Sequence, residues 1–280
     1  MYTQLEDEFG DIVGKARRGQ EMEPADVAGK VGLALEDLGR IEDCALTPDQ
    51  GVIERLAEVL GLHREKLLRS ATKQFFPLCP SGRSISGGVV EMMVLGSGFL
   101  MNGYIVGCSE TGKGAVIDPG FDPEKILRNV EATGLDIEQV LLTHGHQDHI
   151  GALSEICQAT DAPALVHGGD LALIGGLANK IEGELREGEV IAIGNLRFEI
   201  RATPGHTQGG VSLIHAEAAF VGDALFAGSL GGTRNLDNYR QQHQAVGEKV
   251  LGLDEKSLLF PGHGPATTVG EERAHNPFFA

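Results

Sequence analysis

The chain has 280 residues, with 23 Lys plus Arg against 40 Asp plus Glu, for a formal net charge of -17. That length allows one large domain or two unequal ones with a sizeable core, while the acidity works against polyanionic partners such as nucleic acid. Hydrophobic residues at 41%, 40 glycines and no tryptophan describe a turn-rich α/β chain, and no apolar run approaches the roughly 20 residues that span a bilayer.

The opening, MYTQLEDEFG, has neither a positive nor an apolar leader region, so a cytoplasmic location is expected. Four scattered cysteines without a CxxC pair, Cys44, Cys79, Cys108 and Cys157, agree with free thiols in a reducing compartment. Over residues 1–72 the apolar positions recur at helical spacing, as in VIERLAEVLGL, which predicts a small all-helical module. Residues 73–88, including QFFPLCPSGRSISGG, collect Pro, Ser and Gly as a linker does. From residue 89 to 280, strand-like runs alternate with helical ones: VVEMMVL, NGYIVGC, GAVID, PEKILRNVEATG, EQVLLT, IGALSEICQAT, PALVH, RFEIRAT, GVSLIHA, AAFVG and KSLLF. The second part therefore reads as a sheet-rich α/β domain.

Several of those strands end in the same kind of side chain. GAVID ends at Asp118, EQVLLT runs into His144, RFEIRAT leads to His206, AAFVG to Asp223 and KSLLF to His263. A sheet whose strand ends lie side by side would hold these groups in one constellation. Asp118 alone reads as a turn cap, or as a residue that orients a ligand from behind. The stretch LLTHGHQDHIG, residues 141–151, is different. A polar turn with a helix cap would leave three crowded imidazoles repelling one another on protonation, unless a cation accepts their lone pairs. Metal binding is the expectation.

The pattern THxHxDHxG at residues 143–151, with TPGHT at 203–207, GD at 222–223 and PGHG at 261–264, resembles the metallo-β-lactamase-fold hydrolases. The resemblance covers roughly residues 89–280 and implies a four-layered αββα sandwich. It implies that His144, His146 and His206 hold one metal, that Asp148, His149 and His263 hold the other, and that Asp223 bridges them. Asp148 is also assigned a catalytic part. Two divalent ions, zinc first and iron or manganese as the other candidates, would sit about 3.5 to 4 Å apart and turn a bridging water into hydroxide. DALFAGSLGGT at 223–233 and the tail PGHGPATTVGEERAHNPFF are similar to the short glyoxalase II-like branch, which implies thioester hydrolysis of the hydroxyacylglutathione type. Two departures leave the thiol half of the substrate open. Gly232 stands where the branch has Arg, with Arg234 two positions later, and no C-terminal helical domain follows His263. Residues 228–242 are expected as a mobile loop at the mouth of the site, with Arg234 and Tyr239 as substrate contacts. A lactonase of the same fold is the nearest alternative.

Residues 11–62 resemble the Cro-like phage-repressor helix-turn-helix, with EPADVAGKVG as its second helix and residues 35–42 as its recognition helix. The resemblance implies either a DNA reader, which would make the chain a regulator with a sensor half, or a scaffold that packs or pairs subunits into a homo-oligomer. Residues 1–70 hold 9 Lys plus Arg against 15 Asp plus Glu, and Glu36 and Asp37 would face the groove, so the scaffold is favoured and DNA is not an expected partner. A membrane is not expected either.

Overall fold

The computed structural model describes residues 2–280. Five helices come first: α1 (Phe9–Gly19), α2 (Pro24–Val31), α3 (Leu35–Glu42), α4 (Gln50–Leu60) and α5 (Arg64–Ala71). Their ends follow local chemistry. Pro24 opens α2, where no amide donor is needed, the Asp49 carboxylate accepts from the Val52 N–H at 3.0 Å, and Gly61 ends α4 in the left-handed conformation.

The apolar faces of these helices do not close on themselves alone. Ile12, Val13, Val27, Leu38, Ile41 and Leu56 share one buried cluster with Ile214, Val221, Leu225, Val246, Leu259 and Phe278 of the later chain. Polar ties reinforce the contact. The buried Lys66 donates from Nζ to the Arg273 and Phe279 carbonyls, both at 2.7 Å, and the His63 N–H donates to the Pro277 carbonyl at 2.7 Å. The segment from Thr72 to Gly87 contains no helix or strand and is strapped down along its length. Ala266 N–H donates to the Pro80 carbonyl at 2.9 Å, Ser86 Oγ donates to Glu217 at 2.6 Å, and Ile85 is buried between the sheets.

Two six-stranded sheets follow. The first runs in sequence order: β1 (Gly88–Leu95), β2 (Met101–Cys108), β3 (Lys113–Ile117), β4 (Asp136–Leu141), β5 (Ala164–Val166) and β6 (Ile181–Glu184). The second sheet contains β7 (Val190–Ile193), β8 (Leu196–Ala202), β9 (Val211–Ile214), β10 (Ala218–Gly222), β11 (Leu258–Pro261) and β12 (Thr267–Thr268), in the order β12-β11-β10-β9-β8-β7. The parallel pairs β3–β4, β4–β5 and β5–β6 need crossovers, supplied by α6 (Pro123–Thr133), by α7 (Gln147–Ile150) with α8 (Leu153–Thr160), and by α9 (Leu171–Ile174). In the second sheet β10 and β11 are parallel across α10 (Leu236–Ala245), and α11 (Val269–His275) follows β12.

Between the sheets Tyr104, Val106 and Ile117 meet Phe198, Leu213, Phe220 and Phe260, with the Phe220 and Phe260 rings stacked at 4.9 Å. On the far side of the first sheet Ile105, Val116 and Val140 pack on Ile126, Leu153 and Ile156 of α6 and α8. Strand β2 alternates between these two clusters, so all eight of its residues are buried. The result is a mixed α/β sandwich of two sheets with helices on both outer faces, as the resemblance implied. Strands β6, β7 and β12 were not among the expected runs. Each is four residues or fewer and lies at a sheet edge, where pairing with one neighbour suffices and little apolar pattern is needed.

Candidate metal centre

The ends of β3, β4, β8, β10 and β11 open on one edge of the sandwich, and the segments beyond them carry the candidate side chains. After β4 the chain runs through Thr143 and His144 to His146, which occupies the N-cap of the short α7 that carries Asp148 and His149. His206 follows β8, Asp223 follows β10 directly, and His263 lies two residues past β11.

Besides the group of Asp118, His144 and His149, two trios of ligand-type atoms that share no residue result, each within 4.8 Å: His144, His146 and His206 in one, Asp148, His149 and His263 in the other. Asp223 stands between them. Its Oδ2 lies 3.3 Å from His206 Nε2 and 3.6 Å from His263 Nε2, and its Oδ1 lies 3.4 Å from His149 Nε2. Such close approach requires a bare backbone opposite. A Cβ on Gly262 would stand 2.1 Å from Asp223 Oδ1 and 2.6 Å from His149 Cε1.

Hydrogen bonds from behind fix which ring nitrogen faces the centre. His206 Nδ1 donates to the Gly232 carbonyl at 2.7 Å, His263 Nδ1 to the Leu100 carbonyl at 2.8 Å, and His149 Nδ1 to Asp118 Oδ2 at 3.0 Å. With those protons placed, Nε2 is the ring atom that each of the three turns toward the centre. Asp118 is buried, holds φ 50, and also accepts from the Thr143 N–H at 2.8 Å and Oγ1 at 2.6 Å. Its oxygens are thus engaged with Thr143 and His149, and it stands behind the ligand trios.

The chemistry of these donors fits a cation. His144 Nε2, His149 Nε2 and Asp223 Oδ1 are buried polar atoms without a hydrogen-bond partner among the described residues, an arrangement that is costly unless a cation engages them. Burial and the neighbouring His149 push His144 well below its ordinary value. Burial alone would lower His149 too, but Asp223 and Asp118 outweigh it and hold that imidazole well above its ordinary value. Burial would raise Asp223, yet His263 and His149 hold it well below the carboxylate range. A divalent cation would take the place of the proton that these carboxylates favour on His149. The clusters suit a dinuclear centre of nitrogen and oxygen ligands.

One supporting residue carries no sequence signal that singled it out. Asp170, fully buried, accepts from the Gly145 N–H at 2.9 Å and the Gly209 N–H at 2.7 Å, joining the loop of His144 and His146 to that of His206. Gln242 is similar: its Nε2 lies within 3.3 Å of the carbonyls of Asp223, Ala224 and Gly231.

Residues 228–242 depart from the expected mobile loop. Gly228 to Gly231 are buried, and residues from Leu236 onward form α10, capped by the Asn235 side chain accepting from the Asn238 N–H at 2.9 Å. The reason is the helical module. Lys15 of α1 donates to the Leu230 carbonyl at 3.0 Å, with its ammonium 4.5 Å from the centroid of the Phe226 ring. Tyr239 is correspondingly turned away from a substrate role. Its ring packs against Gly19 of α1 and lies 6.4 Å from the Phe278 ring, within the apolar cluster, and burial pushes its hydroxyl up to about 12. Arg234 is exposed, two residues beyond the Gly232 carbonyl that orients His206.

The chain can be set beside known proteins. A family model described as the metallo-beta-lactamase superfamily matches residues 98–263, all within the two-sheet part. Hydroxyacylglutathione hydrolase GloC of Haemophilus influenzae is 34% identical over 183 residues, covering 59% of this chain and 86% of the relative. Among solved structures, the BLEG-1 B3 metallo-beta-lactamase superposes with a TM-score of 0.60 at 28% identity, covering 69% of this chain and 100% of the other. TTHA1623 in a di-iron-bound form superposes with a TM-score of 0.57 at 32% identity, covering 66% and 98%.

Proposed function

The chain belongs to the metallo-beta-lactamase superfamily, and from that premise we propose that it is a dinuclear metal-dependent hydrolase whose substrate is a thioester. The observation that carries this reading is the pair of ligand trios with Asp223 between them. In it His144, His146 and His206 hold one cation and Asp148, His149 and His263 the other, with zinc, iron and manganese all compatible with imidazole and carboxylate donors. Such cations supply a water of lowered pKa and polarise a carbonyl oxygen.

The remaining work falls to the chain. Asp118, Gly232 and Leu100 hold three imidazoles in the tautomer that points Nε2 inward. Asp148, with a side chain 23% exposed, is the most open carboxylate of the centre and is assigned as the proton acceptor at the substrate face. A thioester suits this equipment, because a thiolate leaves readily and asks for little general-acid help. The likeness to a hydroxyacylglutathione hydrolase supports the same reaction. Arg234, exposed beyond Gly232, remains the cation assigned to an anionic part of the substrate.

The five-helix segment is read as a scaffold and not as a DNA reader. Glu36 is exposed on α3, and Asp37 beside it is paired with Arg40 at 3.3 Å, so the helix offers phosphates little positive charge. Metal analysis combined with a panel of thioesters, lactones and β-lactams tests the main reading. Purified protein should carry up to two equivalents and turn over thioesters fastest, and Asp223→Ala should lose occupancy at both positions. Unchanged metal content in that variant would sink the assignment, and sequence-specific shifting of duplex DNA at physiological salt would replace the scaffold with a regulator.

A further inference from the structure

Eight large apolar side chains are exposed among the described residues, and three of them, Phe99, Leu100 and Leu173, stand beside the ligand trios. Singly exposed apolar residues are ordinary. These three flank the centre on two sides, each side fixed by a backbone contact that also serves it. On one side the Leu100 carbonyl accepts from His263 Nδ1 at 2.8 Å, and the Phe99 ring lies 5.2 Å from the His263 ring. On the other, α9 starts immediately after Asp170, the carboxylate that holds the Gly145 N–H. Leu173 follows so closely that a Cβ on Gly145 would lie 3.1 Å from its Cβ. Gly145 is the residue between His144 and His146. Each trio thus has an apolar shoulder that the rest of the chain covers only in part, with Phe99 55%, Leu100 41% and Leu173 36% exposed.

We propose that Phe99 with Leu100 on one side, and Leu173 on the other, are specificity residues that grip an apolar acyl arm. The preferred substrate is then a thioester of a medium-length aliphatic or aromatic acid, a proposal that rests on the hydrolase reading above. The formal net charge of -17 points the same way, since it disfavours arms that carry several negative charges. Full burial of a methylene is worth about a four-fold gain in kcat/KM, and a shoulder that covers one side of a chain gives roughly half of that free energy, or about two-fold per methylene.

The test uses the metal-loaded 280-residue chain and two variants, Phe99→Ser with Leu100→Ser, and Leu173→Ser. For each, kcat/KM is measured on N-acetylcysteamine thioesters from acetyl to octanoyl, and the affinities of free butanoic and octanoic acids are measured by calorimetry. The wild type should gain roughly two-fold per methylene, on the order of 60-fold across the series, and should bind octanoate about 16-fold tighter than butanoate. Both dependences should flatten in at least one variant. A flat series with equal acid affinities in the wild type, or dependences unaltered in both variants, overturns the proposal. The acid titrations separate this failure from that of the hydrolase reading. If no thioester is turned over while octanoate is still favoured, and the variants abolish that preference, the shoulders stand and the thioesterase falls.

Discussion

Asp170→Ala tests how the centre is held together across the two sheets. The wild-type carboxylate is fully buried and accepts from two backbone amides, Gly145 at 2.9 Å and Gly209 at 2.7 Å. One amide belongs to the loop after β4 and the other to the loop after β8, so a single side chain sets the spacing of His144 and His146 against His206. Removing it strands two buried N–H groups. A hydrogen bond to a charged group is worth about 1.5 to 3 kcal/mol, so the pair amounts to roughly 4 kcal/mol, a large share of the 5 to 15 kcal/mol that keeps a domain folded. The metal site should feel the loss unevenly. The trio of His144, His146 and His206 loses its common anchor and should bind about 10- to 100-fold more weakly. The trio of Asp148, His149 and His263 keeps Asp118 and the Leu100 carbonyl behind it and should change little. Urea unfolding of the metal-free protein gives the first quantity, and competition with a colorimetric chelator, resolved into two affinities, gives the second. A stability loss under about 1 kcal/mol with both affinities unchanged would refute the reasoning, as would equal weakening of both sites.

Gly120→Ala should cost the second metal position selectively, because its Cβ would stand 1.8 Å from the Asp148 carbonyl oxygen and 2.6 Å from Met101 Sδ; two full equivalents in that variant would contradict the packing. Glu272 is buried, and burial pushes its carboxyl up to about 7, against which the donors Asn276, Gly228 and Thr267 only partly act. The folded state therefore holds this proton more tightly than the unfolded chain, so the group's contribution is full below about pH 4.5 and is lost as pH rises to about 7, by roughly 3 kcal/mol. Urea titrations should show the wild-type-minus-Glu272→Gln difference shrinking by that amount between those pH values, and parallel pH profiles would remove the assignment. Deleting residues 2–72 should uncover the cluster around Ile214, Val221, Leu225 and Leu259 and cause aggregation; a monodisperse, fully active fragment on size-exclusion chromatography would show that the helices are dispensable.

Much of the centre was legible because its information is local. THGHQDH places three imidazoles and a carboxylate within six residues, and a run of apolar residues before each of His206, Asp223 and His263 marks a strand end. The seven side chains that the structure gathers at one edge are those this pattern singles out. Helical spacing likewise marked residues 1–72 as a helical segment, and α1 to α5 lie there. What holds those side chains in place was not legible. The carbonyls of Gly232 and Leu100 belong to the backbone, which every residue has, and Asp170 lies 25 residues from one of its amide partners and 39 from the other. The ordering of residues 228–242 escapes the sequence for the same reason. Glycines and polar residues in a row look mobile until Lys15 and α1, more than 200 residues earlier, are laid across them. Residue type and spacing report what a few neighbouring positions can do. Which distant strands share an edge, and therefore which groups orient the imidazoles, which apolar residues stay uncovered and which loop is buried, is settled only when two sheets and a helical module bury their common apolar faces.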